Sequence, residues 1–226
     1  MGSVIGNILP EAVAVAISPV PIIALILMLF SKKAGINSLA FLFGWILGLA
    51  AVGGIVMAIG STQNMSAGSG ASTAGYTLKL LLGALLLFLA IRNWRTRPKP
   101  GEQPKMPAWM SNIDSFKPVK AFGLAVLFSG INPKNLALTL SAALDIVQKG
   151  LATGQTIATM IVFIAVASVT IAVPVLLNLF MKDRSARVLN TWKEWLTENN
   201  NTVMFVLLLV FGILLLGKGI SGLSGG

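Results

Sequence analysis

No cysteine and no histidine occurs among the 226 residues, and tyrosine occurs once. Disulfides, thiolate nucleophiles, Cys/His zinc sites and imidazole acid–base catalysis are therefore absent. Acids are scarce too: seven Asp and Glu stand against seventeen Lys and Arg, for a formal net charge of +10. Charged residues make up only 11% of the chain, whereas soluble domains carry about 25%. So few charges cannot cover a water-facing surface. The chain is instead 55% hydrophobic, with a mean hydropathy of +0.85. This composition excludes an ordinary soluble enzyme and indicates an integral membrane protein.

The positive charge has the wrong distribution for nucleic acid, which needs a basic face interleaved with stacking aromatics. Here the basic residues lie in hydrophilic connectors between apolar runs. A bilayer core about 30 Å thick requires about 20 apolar helical residues to cross. Six stretches reach that length, at 7–31, 36–60, 74–93, 119–144, 154–181 and 202–220. They are continuous rather than alternating, so helices are predicted and a membrane barrel is not. Lys32 and Lys33 follow the first run instead of preceding it, the reverse of a cleavable signal peptide.

Thirteen of the seventeen basic residues fall in the first, third and fifth connectors. The second connector, 61–75, is an uncharged Gly/Ser/Ala/Thr stretch. Positive residues accumulate on the cytoplasmic side, so both termini are expected outside the cytoplasm of a cell membrane. Within two basic connectors, Trp109, Met110, Ile113 and Phe116, and then Val188, Leu189, Trp192, Trp195 and Leu196, recur at helical spacing. Each set predicts a short helix in the headgroup layer, as an anchor or as a gate or docking surface.

The chain repeats itself. Ile17-Ser18-Pro19-Val20-Pro21-Ile22 in the first span matches Ile131-Asn132-Pro133-Lys134-Asn135-Leu136 in the fourth, at an offset of 114 residues. Each half then holds three spans and enters the membrane from the opposite side, a 3+3 inverted-topology repeat. The expected fold is all-α and polytopic, one membrane domain with a first repeat at about 1–93, a linker at 94–118 and a second repeat at about 119–226.

Proline lacks an N–H and frees the carbonyl four residues earlier. Pro19 should release Val15, Pro21 should release Ile17, and Pro133 should release Ser129. Irregular backbone at that depth is expected to line a cavity inside the bundle. Lys134 lies deep in the fourth span, where an ammonium must face protein or water, with Asn132, Asn135, Thr139 and Ser141 near it in sequence. It can hold an anionic group or trade its proton for a cation, or it can be a structural partner of freed carbonyls or a carboxylate. The candidate substrate-binding set is Ser18, Pro19, Pro21, Asn132, Pro133, Lys134 and Asn135.

Glu11 follows Pro10 at the predicted start of the first span, where it suits the helix dipole or carries a proton. Asp145 is expected to end the fourth span, and Lys79 to snorkel. Ala40, Gly44 and Gly48 form a small-residue stripe for packing within the bundle or between protomers of a homo-oligomer. Pro174 predicts a kink in the fifth span. The sixth, almost featureless, is expected to face lipid. No metal or cofactor is called for, and the strongest enzyme candidate, a Ser129–Lys134 pair, lacks an orienting third group.

The run AISPVPIIALILML at 16–29, GWILG at 44–48, GINPKNL at 130–136 and the stretch 203–218 resemble the GAP family, also called sulfolipid-1-addressing proteins, of the LysE superfamily of small six-helix exporters. Asn132-Pro133-Lys134 is the most specific part of the likeness. The resemblance implies a secondary carrier that exports an envelope lipid precursor or a small polar metabolite. A scaffold assisting a lipid-export complex is the alternative. No Gly-x-x-x-x-Gly-Lys-Ser/Thr motif is present, so energy would come from an ion gradient or a partner.

Overall fold

The computed structural model describes residues 1–62, 70–98 and 108–225. Residues 63–69 of the 61–75 connector, and Lys99 and Lys105 of the third connector, lie outside them. Among the described residues every regular element is helical. α1 (Gly2–Ala16) and α2 (Pro19–Leu29) meet at an angle of 52°. The cause is local. Ser18 is extended (φ −122°, ψ 95°), as a residue before proline prefers, and two prolines in the next turn withhold backbone donors.

α3 (Ala34–Thr62) and α4 (Gly70–Arg95) are unbroken. A 3₁₀ segment, Ala108–Ser115, leads to α5 (Pro118–Val126), which passes through a π turn (Leu127–Ile131) into α6 (Pro133–Gln148). α7 (Thr153–Ala167) and α8 (Val169–Leu223) complete the chain. Three helical stretches are long and apolar enough to cross a bilayer, Ala34–Gly60, Ser72–Arg95 and Ala186–Leu223; the bent pairs α1–α2 and α7–Val169–Phe180 raise the number to five. The predicted fourth span is divided among α5, the π turn and α6 and is not among those five. Large apolar side chains such as Phe43, Leu81, Phe88 and Ile213 point away from the bundle, which in a multi-pass membrane protein puts them against lipid.

α8 doubles back. Thr170 Oγ1 donates to Ala16 O at 2.5 Å, while Lys218 Nζ donates to Asn7 O at 3.1 Å. Both acceptors lie on α1, nine residues and about 14 Å apart, whereas 48 residues of straight helix would extend about 72 Å. The contact with Asn7 also places the chain's two ends at one end of the bundle, here called the terminal end. The opposite, connector end carries Lys32, Lys33 and the 3₁₀ segment.

Several expectations are corrected. α1 starts at Gly2, so Pro10 and Glu11 sit in its interior rather than its first turn, and Glu11 is no N-terminal dipole partner. The fifth span also bends at Ser168, with 61° between α7 and Val169–Phe180, a break not expected from the sequence, and Pro174 lies within the second segment. Residues 183–196 are no separate surface helix but part of α8, with Leu189 and Leu196 turned inward and Trp192 and Trp195 exposed. The Trp109 segment is a 3₁₀ turn that packs on the bundle. Met110 and Ile113 are buried in the core, and Trp109 packs on Phe128 at 5.6 Å between ring centroids.

Glycines set the closest helix contacts. A Cβ at Gly44 would overlap Phe122 O, and one at Gly48 would overlap Ser129 Oγ. The small-residue stripe of α3 is therefore occupied within the chain, by α5 and the π turn. The sixth span is not merely lipid-facing either: Gly212, Gly219 and Gly222 receive Leu87, Leu80 and Tyr76 of α4.

Candidate functional site

The two proline breaks meet. Lys134, at the first turn of α6, sends its side chain into the gap between α1 and α2 and is 2% exposed. Its ammonium donates to Ala14 O at 2.6 Å, Ile17 O at 2.9 Å and Ser18 Oγ at 2.8 Å. All three ammonium protons are thereby placed. Ser18 accepts from Lys134 and has one proton to give, with Val15 O at 2.8 Å and Asn135 Oδ1 at 3.1 Å in reach. Ala16 O takes the Ser18 amide and the Thr170 hydroxyl. Four successive carbonyls, Ala14 to Ile17, thus each acquire a partner that an uninterrupted helix would not provide.

The second break satisfies itself differently. Asn132 caps α6 by accepting from the Lys134 amide at 3.1 Å, while its own amide reaches back to Leu127 O at 2.9 Å, the long bond of the π turn. That bond bypasses Phe128 O, which accepts instead from Asn135 Nδ2 at 2.9 Å. Pro19, Pro21 and Pro133 open the gaps; Ser18, Asn132, Lys134 and Asn135 fill them. Ser129 donates to Ala125 O at 2.9 Å and has no bond to Lys134, so the serine–lysine pair considered from sequence is not formed.

A second polar cluster sits at the terminal end, where the sequence indicated only Glu11. Lys79 of α4 is 1% exposed, 2.5 Å from Asp145 Oδ1 and 3.0 Å from Gln148 Oε1 of α6. It does not snorkel. Asp145 Oδ2 accepts from Lys218 of α8 at 2.7 Å, and Lys218 also donates to Glu11 Oε1 of α1. One chain of charge therefore ties α1, α4, α6 and α8 together. Ser141 Oγ approaches Glu11 Oε1 at 3.4 Å, while Glu11 Oε2 is buried without a partner. Above the network lies a cleft of about 780 Å³ bordered by Asn7, Tyr76, Lys149 and Ser221. No local signal marks this cluster in the sequence, because Lys79, Asp145 and Lys218 each stand near the end of a different span and acquire a role only through packing.

The pattern of the family described as Sap, sulfolipid-1-addressing protein, matches residues 8–221. No curated protein and no solved structure matches the chain. The match takes in both proline breaks, Lys134 and all four members of the charge network, and on that extent the chain belongs to the sulfolipid-1-addressing protein family.

Proposed function

We propose that this protein is an exporter working by alternating access, with six spans arranged as an inverted 3+3 repeat, in the cell membrane with both termini outside the cytoplasm. The observation that carries the reading is the contact of Lys134 with Ala14 O and Ile17 O, which joins the broken helix of one half to the broken helix of the other. Charge-assisted hydrogen bonds contribute about 1.5–3 kcal/mol each. Separating the halves at this point therefore costs several kcal/mol unless the ammonium finds another partner. An anionic group on the cargo is such a partner, and a ligand shifts a two-state equilibrium only by its differential affinity for the two states. Lys134 with Ser18, Asn132 and Asn135 forms the substrate-responsive contact.

On this reading the closures at the two ends differ in chemistry. The Glu11–Lys218–Asp145–Lys79 network closes the terminal end, and Glu11, with one unpartnered oxygen, is its proton-coupling candidate. The connector end is closed by Trp109 on Phe128, the residue whose carbonyl Asn135 holds. The cargo is an envelope lipid precursor or a small polar metabolite with a negatively charged group. Transport of a labelled anionic lipid by the pure protein in liposomes tests the reading. Wild type should move it, and a correctly inserted Lys134→Met variant should not. Undiminished movement by that variant would refute the role of Lys134.

A second reading, a membrane scaffold for a lipid-export complex, is favoured by the complete internal satisfaction of the Lys134 ammonium. Pure protein that binds anionic lipid in liposomes without moving it would decide for the scaffold.

A further inference from the structure

The transport cycle above makes no use of a cleft at the connector end, about 710 Å³ in volume, between the end of α2, the start of α3 and α8. Its lining divides by chemistry. Lys32 and Lys33 stand on one side, both exposed, and neither pairs with an acid among the residues whose side chains the structure describes, which do not include 181–185. Lys193 of α8 adds a third cation, 5.8 Å from the Phe30 ring centroid. The first turn of α3 faces the same space, and a Cβ at Gly35 would meet nothing within 4 Å. Apart from Asn178, the remaining wall is apolar, with Phe30, Ile36 and Leu179 each more than two-fifths exposed.

The two kinds of lining select the occupant. A free anion gains nothing from Ile36 and Leu179, and a neutral lipid gains nothing from three cations. Leu39, one turn on from Ile36, and Phe180, next to Leu179, are exposed as well, which offers acyl chains further apolar surface beside the cleft. Basic pockets beside membrane helices at the cytoplasmic level suit acidic headgroups.

We propose that this cleft holds an anionic bilayer lipid, its phosphate between Lys32, Lys33 and the first turn of α3, and an acyl chain along Ile36 and Leu179. Bound there, the lipid bridges α2, α3 and α8 and stiffens the short loop at 30–33. The inference rests on the membrane reading of the fold and is independent of transport.

The test is binding of phosphatidylglycerol and of phosphatidylcholine to the full-length protein in neutral detergent, with bound lipid counted by native mass spectrometry. Wild type should prefer phosphatidylglycerol, and Lys32→Gln/Lys33→Gln should lower that affinity about tenfold. Gly35→Leu, which fills the cleft from an open position, should lower it with both lysines present. Lys117→Gln/Lys120→Gln, in another basic connector, should leave it within about twofold. Retained helical circular dichroism and thermal midpoint establish that the variants are folded. Equal loss from both lysine pairs would mean a diffuse surface potential and overturn the proposal. No preference for phosphatidylglycerol in wild type, or complete displacement of the lipid by inorganic phosphate, would overturn it as well.

Discussion

Ser18 and Asn135, 117 positions apart in the chain, stand across two helix breaks with the serine hydroxyl 3.1 Å from the asparagine Oδ1. Lys134 donates to the same hydroxyl, and Asn135 donates onward to Phe128 O. The polar chain thus runs from the carbonyls of one broken helix to a carbonyl of the other without leaving protein. Its stability and its mechanical role can be separated by substitution.

Lys134→Met keeps much of the side-chain volume and removes three donors. Ala14 O is then buried without a partner and Ile17 O, partly buried, loses its own; each such group costs up to about 1–3 kcal/mol, less where the membrane-embedded unfolded state finds its own partners. Unfolding in mild detergent should register a loss of about 2–4 kcal/mol. Ser18→Ala keeps the lysine's two carbonyl bonds and should lose about 1 kcal/mol. If the two variants lose the same amount, the carbonyls are not what the ammonium stabilises.

Within the terminal-end network the carboxylates are unequal. Asp145 faces both Lys79 and Lys218, whereas Glu11 faces Lys218 alone and leaves Oε2 unpartnered. Asp145→Asn removes the one carboxylate paired with buried Lys79 and one of the two paired with Lys218, and breaking a buried pair costs about 3–5 kcal/mol. Glu11→Gln leaves Lys218 its aspartate. The expected order of thermal midpoints is wild type, then Glu11→Gln, then Asp145→Asn lowest. A reversed order would place Glu11, not Asp145, at the centre of the network.

The breaks themselves were readable from composition and spacing, because proline's missing donor is a local property. Val15 O and Ile17 O, the two carbonyls expected to be freed in the first span, are taken by Ser18 and Lys134, whereas the new partners of Ala14 O and Ala16 O were not expected. At the second break the π turn shifts the consequence to Phe128 O, a change of hydrogen-bond register that no residue type announces. Lys79 resisted prediction for another reason. A lysine one turn inside a span can snorkel or pair, and only the approach of α6 decides between them. The same holds for the end of α8, whose Gly212, Gly219 and Gly222 count as mere small residues until α4 is laid on them.

That packing argument predicts opposite outcomes for two glycines of α3. Gly48 lies against Ser129 of the π turn, while a Cβ at Gly54 would meet nothing within 4 Å. Gly48→Leu should destabilise by about 1–3 kcal/mol through overpacking. Gly54→Leu should be neutral or stabilising, since leucine exceeds glycine in helix propensity by up to about 1 kcal/mol. Comparable losses at both positions would show that α3 is not held through its Gly48 face.

The same contact offers a direct test of rocking between the halves. An ideal Cβ on Gly48 lies 3.2 Å from the Ser129 Cβ, and disulfides span about 3.5–4.5 Å between Cβ atoms. A small outward shift therefore brings Gly48→Cys/Ser129→Cys into bridging geometry. The chain has no native cysteine to compete. The bond would fasten α3 of the first half to the π turn of the second, beside the break that Asn132 caps. Oxidised protein in liposomes should bind anionic lipid at the connector-end cleft as wild type does but fail to move it, and a reductant should restore movement. The control is each single cysteine variant, oxidised in parallel, which should keep the activity of its reduced form. A fully bridged protein that still transports would mean that the halves do not separate at this interface, and export would then have to proceed by another motion.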